Sequence, residues 1–108
     1  MRRYSVIFTF RVERQLAGLY GVIADDGGEA RAEKYVGRIV AACNALGVFP
    51  ERGTKRDDVR PNLRTIGFAR RVTIAFSVEA TTLSVAIHGV FYGGQDFETI
   101  LRETGGDG

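Results

Sequence analysis

Residues 64–92, RTIGFARRVTIAFSVEATTLSVAIHGVFY, carry two long runs of period-two alternation joined by a polar turn, which is the pattern of paired β-strands. In the first run Val72, Ile74, Phe76 and Val78 fall on one face, and Arg71, Thr73, Ala75 and Ser77 on the other. After a turn at Glu79 to Thr82, Leu83, Val85, Ile87 and Phe91 extend the apolar face. One face of this hairpin therefore meets a core. The other is small or polar, and on it Arg71, Thr73, Ser84, His88 and Tyr92 mark where a surface function can sit. A shorter strand, Leu63 to Phe68, precedes the pair, with Gly67 and Ala69-Arg70 at its turn, so the expectation is a three-stranded antiparallel meander.

Upstream, residues 4 to 10 (YSVIFTF) are rich in β-branched and aromatic types and predict a strand that pairs with the meander. From Arg11 the period lengthens: Val12, Leu16, Leu19, Tyr20 and Ile23 recur every three or four residues, giving a helix to about Ala24. Gly18 and Gly21 within it suggest close packing against a neighbouring helix, and Asp25-Asp26-Gly27-Gly28 reads as a turn. A second helix follows from about Glu29 to Leu46, with Ala32, Tyr35, Val36, Ile39, Val40, Cys43 and Leu46 on one face and Gly47 as its C-cap. The two form a helical hairpin whose stripes cover the meander. Residues 50–62, with both prolines, read as an exposed connection. Beyond the meander, Asp96 is placed to cap a short helix in which Phe97, Ile100 and Leu101 share a face.

The chain has 108 residues, 44% of them hydrophobic and 26% charged, which fits one soluble domain over residues 1–104 with a flexible tail at 105–108. No apolar run approaches the ~18 residues a membrane helix needs, so no membrane association is expected. The lone Cys43 reads as a small buried hydrophobe in a reducing, cytoplasmic setting. One His and one Cys leave too few ligands for a metal site, and neither metal nor cofactor is expected. Net charge is only +2, yet Arg52, Lys55, Arg56, Arg60, Arg64, Arg70 and Arg71 crowd residues 52–71. Such a cluster attracts nucleic acid, a ribosome or an acidic protein, or else it is a solvated loop. His88, the one side chain expected to titrate near neutrality, is a candidate acid or base, or a hydrogen-bonded strand residue.

Four stretches carry a family resemblance: Phe49-Pro50, Arg60-Pro61-Asn62-Leu63-Arg64, the Arg70 to Val78 strand, and Tyr92-Gly93-Gly94-Gln95-Asp96-Phe97-Glu98. Set in the order strand, helical hairpin, three-stranded meander and short C-terminal helix, an α+β arrangement, the chain resembles the RelE/ParE toxin superfamily of bacterial toxin-antitoxin modules. The ParE branch is the nearer one. That resemblance implies a cytoplasmic toxin of a type II system, held in a hetero-oligomer by a cognate antitoxin. It further implies inhibition of DNA gyrase, hence of replication and growth, without nuclease chemistry. The RelE branch instead cleaves messenger RNA on the ribosome, and a third possibility is a non-toxic relic that only binds its antitoxin.

Near the C-terminus, where RelE-type chains carry Arg and then Tyr, this chain has Gln95, Asp96 and Phe97, which removes a proton-transfer group and a charge stabiliser. On the ParE reading the candidate target contacts are Arg60, Arg64, Arg70, Arg71, Tyr92 and Gln95, with no catalytic residue. On the RelE reading Arg64, Arg71 and His88 would be catalytic. For the antitoxin, an acidic extended or helical segment is expected over Leu16, Leu19, Tyr20, Ile23 and Tyr35, with the first strand open to an added strand.

Overall fold

The computed structural model describes residues 3–93 and 95–104, and the tail expected at 105–108 lies outside the described residues. In chain order the elements are β1 (Ser5–Phe8), α1 (Phe10–Gly27), α2 (Glu29–Ala45), β2 (Thr54–Lys55), β3 (Leu63–Phe68), β4 (Val72–Glu79), β5 (Ser84–Tyr92) and α3 (Phe97–Thr104). The strands form one mixed sheet in the order β1-β5-β4-β3-β2. β1 runs parallel to β5, as a strand returning through a helical crossover can, and the meander β3-β4-β5 is antiparallel.

The hairpin α1–α2 covers one face of the sheet. Val12, Ile39, Cys43 and Leu46 from the helices meet Val72, Ile74, Phe76, Val85, Ile87 and Val90 from the sheet, all buried. Burial pushes the Cys43 thiol up to about 12, so it stays protonated and serves as a core hydrophobe.

Four local expectations are corrected. α1 continues past Ala24 through Asp25 and Asp26, which stay solvated, and the helix breaks only at Gly28. That residue adopts φ 93° and ψ 160°, a region open essentially to glycine, and it alone joins the helices. Its amide donates to the Ala24 carbonyl and its carbonyl accepts from the Ala32 amide. Gly18 and Gly21 are exposed, with nothing within 4 Å of an added Cβ, so they do not serve helix packing. Leu83 sits in the β4–β5 turn at φ 51° and does not extend the strand. Residues 54 and 55 form β2, antiparallel to Arg64 and Thr65, within a stretch expected to be a connection.

The largest correction lies in β5. Pairing runs Thr73 with Phe91, Ile74 with Val90 and Ala75 with Gly89, then Phe76 with Ile87, which leaves His88 as an extra residue in a β-bulge. Beyond it the alternation changes phase. Val85 and Ile87 face the helices, but so do Val90 and Tyr92, while Phe91 turns to the opposite face with Ala75. Phe91 therefore leaves the main core, and Tyr92 joins the helix side.

On that opposite face α3 builds a second cluster. Leu101, Phe97 and Ile100 pack on Val59, Leu63, Ala75 and Phe91, with the Phe91 and Phe97 rings 5.8 Å apart. Asp96 caps α3 through the Thr99 amide and hydroxyl, as expected. Arg60 donates to the Leu101 carbonyl at 2.8 Å, and Arg56 pairs with Asp58 and Glu98. Burying Leu101 completely is worth roughly 1.5–3 kcal/mol. Partly exposed ion pairs supply at most about 1 kcal/mol each. Apolar burial holds α3, and the ion pairs orient it.

Three outcomes follow in denaturation experiments. Gly28→Ala should lose about 1–3 kcal/mol, because alanine is strained at that junction. Replacing Ala69-Arg70, both at positive φ (51° and 70°), with Asn-Gly should gain about 1 kcal/mol, since this is the backbone those residues favour. Hydrogen bonds from Arg56 hold the Asp58 carboxyl below its usual range, and bonds from Thr99 do the same for Asp96. Their contribution is present above the ordinary carboxylate range and is lost as pH falls through the lowered values. The protection factor of the α3 amides, taken against the intrinsic exchange rate at each pH, should fall below about pH 4 before that of β4, as pH approaches the ordinary Asp value.

Candidate functional site

The face of the sheet away from the hairpin is set by β3–β5: Thr65 and Gly67 on β3, Thr73, Ala75 and Ser77 on β4, and Ser84, Ala86, Gly89 and Phe91 on β5. α3 occupies one part of it. Gly89 makes room for that arrangement, since a Cβ there would lie 2.3 Å from the Phe91 ring. The bulged His88 is only 8% exposed, and its Nε2 shares a 2.7 Å hydrogen bond with the Ser77 hydroxyl. Its ring is thus an internal strut across β4 and β5, largely withheld from solvent.

The basic residues separate into groups. Arg64 pairs with Phe76 in the register and so projects on the helix side, away from His88, where its guanidinium reaches the Arg52 carbonyl at 3.3 Å. Arg56 and Arg60 are occupied in fixing α3. Arg70 and Arg71 stand exposed at the β3–β4 turn, where the Ala69-Arg70 backbone is left-handed. Arg64, Arg71 and His88 are therefore not brought to a common point: one is on the helix side, one at a turn, one buried in the sheet.

Tyr92 and Gln95 do come together. The Tyr92 amide donates to Gln95 Oε1 at 2.8 Å, and the Tyr92 side chain, 38% exposed, borders α1. Leu16, Leu19 and Tyr35 are half-buried against the core, and Tyr20 and Ile23 are half-buried further along α1. Tyr35 also meets Phe68 edge-on at 6.4 Å, with Arg38 over the same ring.

Two residues escaped the sequence reading. Val22 is 66% exposed on α1, outside the apolar stripe read there, and Gln15 Oε1 accepts the Val90 amide at 2.8 Å. An apolar residue out of phase was a visible signal for Val22. Nothing in the sequence marked Gln15, because its role depends on where β1 stops. Among the described residues no group of three or more His, Cys, Asp or Glu is placed to hold a metal, and no helix is long and apolar enough to cross a membrane.

Among solved structures the chain is similar to a protein of the chromosomal ParDE TA system from P. aeruginosa. The TM-score is 0.72 with 22% sequence identity, covering 84% of this chain and 97% of that one, which establishes the shared fold. No curated protein sequence matches the chain. The family model of the ParE toxin of the type II toxin-antitoxin system, parDE, matches residues 6–97, from β1 to the start of α3. The chain belongs to the ParE toxin family: it is the toxin component of a type II toxin-antitoxin system and has a cognate antitoxin as partner.

Proposed function

We propose that this toxin arrests growth in the cytoplasm by binding DNA gyrase and blocking replication, and that it cuts no nucleic acid itself. The observation that carries this reading is the scatter of Arg64, Arg71 and His88. Cleavage of a phosphodiester needs a proton-transfer group and a cation within hydrogen-bond reach of one phosphate. Here the one imidazole is buried against Ser77, and Arg64 is on the other side of the sheet. A protein that inhibits by occupying a surface needs exposed anchors, and arginine and tyrosine are the types that dominate such contacts. Arg70, Arg71 and Tyr92 lie at one end of the β4–β5 pair, since Val72 pairs with Tyr92 and the Gly93 amide donates to the Arg71 carbonyl. Gln95 adjoins them, whereas Arg60 is engaged with α3 and Arg64 lies on the helix side of the sheet, so Arg70, Arg71 and Tyr92 carry the proposed contact. The half-buried residues Leu16, Leu19, Tyr20, Ile23 and Tyr35 give the antitoxin an apolar helix surface to cover.

Induced expression, with DNA breaks, supercoiling and transcript integrity read within the first minutes, tests the reading. Altered supercoiling or breaks with intact transcripts is the expected result, and early ribosome-dependent transcript cleavage with intact DNA would overturn it. With purified gyrase, Arg71→Ala should weaken inhibition at least tenfold while unfolding stability shifts by less than about 0.5 kcal/mol, as befits an exposed turn residue.

A further inference from the structure

The exposed cations of α2 all lie on one side of the helix. Lys34 and Arg38 stand four residues apart on one face, and Arg31 continues the row toward the α1–α2 junction, where its side chain lies over Gly27. The acidic residues of α2, Glu29 and Glu33, fall on the opposite face near Tyr20 of α1, whose pKa is raised by burial first and then by their charge. Arg38 sits over the Phe68 ring at 5.5 Å, and two residues past Phe68 the chain makes the left-handed turn that presents Arg70 and Arg71. The α2 row and the β3–β4 turn therefore meet at Phe68. Among the described residues the ion pairs run from Arg56 and Arg102 to Asp58 and Glu98, and none of them involves Lys34, Arg38, Arg70 or Arg71.

We propose that Lys34, Arg38, Arg70 and Arg71 form a binding surface for the phosphate backbone of duplex DNA, independent of base sequence. This goes beyond the gyrase reading and does not depend on it. A cation already held by a carboxylate has little left to offer a polyanion, whereas these four keep their full charge for a ligand. Arg38 is oriented in advance by the ring beneath it. One flank of the α2 row carries only Ala30, Gly37 and Ala41, all exposed, so no bulky side chain holds a rod-shaped ligand away. A protein partner needs an apolar or aromatic centre to desolvate. The rings here, Tyr35 and Phe68, are half-buried and meet each other edge-on at 6.4 Å. The same burial denies an unpaired strand its stacking platforms. What remains is charge spread along a helix and a turn, which suits the repeating phosphates of a duplex and reads no base edge.

The test titrates purified toxin, free of antitoxin, into a labelled duplex of about 20 base pairs and mixed sequence, at several salt concentrations. The logarithm of affinity should fall against that of salt with a slope of about −4, as expected for one phosphate contact from each cation. Lys34→Ala combined with Arg38→Ala should flatten the slope by about 2 and weaken binding by about tenfold at low salt. Arg38→Lys keeps the charge and should keep the slope, which separates lost charge from lost packing over Phe68. Arg14→Ala, which removes an exposed cation from α1, should change neither quantity. Absence of binding at low salt, a slope untouched by the double variant, or one flattened as much by Arg14→Ala overturns the surface. Tighter binding of an unpaired strand of the same length, or of an acidic peptide of equal charge, overturns it as well and assigns the patch to that ligand. No gyrase is present, so the outcome bears on this surface alone.

Discussion

The structure depends on one inserted residue. With strict alternation, β5 would send Val85, Ile87 and Phe91 to the same face and would have nothing large to offer α3. The bulge at His88 changes the phase between Ile87 and Gly89, so a single strand supplies Val85, Ile87 and Val90 to the hairpin core and Phe91 to the α3 cluster. The extra residue would be a loose end were its side chain not tied to Ser77, and that bond, in a position withheld from water, keeps the register from sliding. The histidine read as a candidate catalyst thus ties β4 to β5 at the bulge.

The same dependence explains what could be read from the sequence. Strands and helices whose apolar residues repeat for several turns or pleats were legible: the faces of β4, α1 and α2 emerged from Val72 to Val78, Val12 to Ile23 and Ala32 to Leu46. Their type follows from local periodicity, which needs no partner. The bulge was not legible, because a phase change at His88 is defined only by the residues opposite it on β4. β2 escaped for a similar reason: Thr54 and Lys55 are polar and just two residues long, and only their pairing with β3 makes them a strand. The single-residue junction at Gly28 was blurred by the adjoining Asp25-Asp26-Gly27, whose turn propensity yields to a helix already running.

For the site, the sequence revealed composition but not direction. The crowding of arginines between residues 52 and 71 is real, yet register and ion pairing divide it. Arg56 and Arg60 close the gap between a long connection and α3, Arg64 shares the Phe76 side of the sheet, and only Arg70 and Arg71 are presented together at a turn. One charge-rich stretch thus performs three tasks, and the count of positive charges overstated the surface open to a partner. Left-handed backbone at Ala69 and Arg70 keeps that turn tight without the residues that usually favour it.

Where β1 ends decides the rest. Thr9 places both its amide and its hydroxyl on the Ile87 carbonyl, so the strand stops there and Phe10 begins α1 directly. A helix begun at that point passes over β5, and Gln15 on its second turn reaches the Val90 amide that a longer β1 would have paired. The early turn into α1 thereby does two things at once: it brings Val12 and Leu16 onto the core, and it leaves the last stretch of β5 without a strand neighbour on the side away from β4. Side-chain amides satisfy those donors in the free protein, but each ties down a flexible glutamine that a strand would release. The free protein thus closes the end of β5 without a further strand: Gln15 and Gln95 pair with its outward amides while the toxin stays folded.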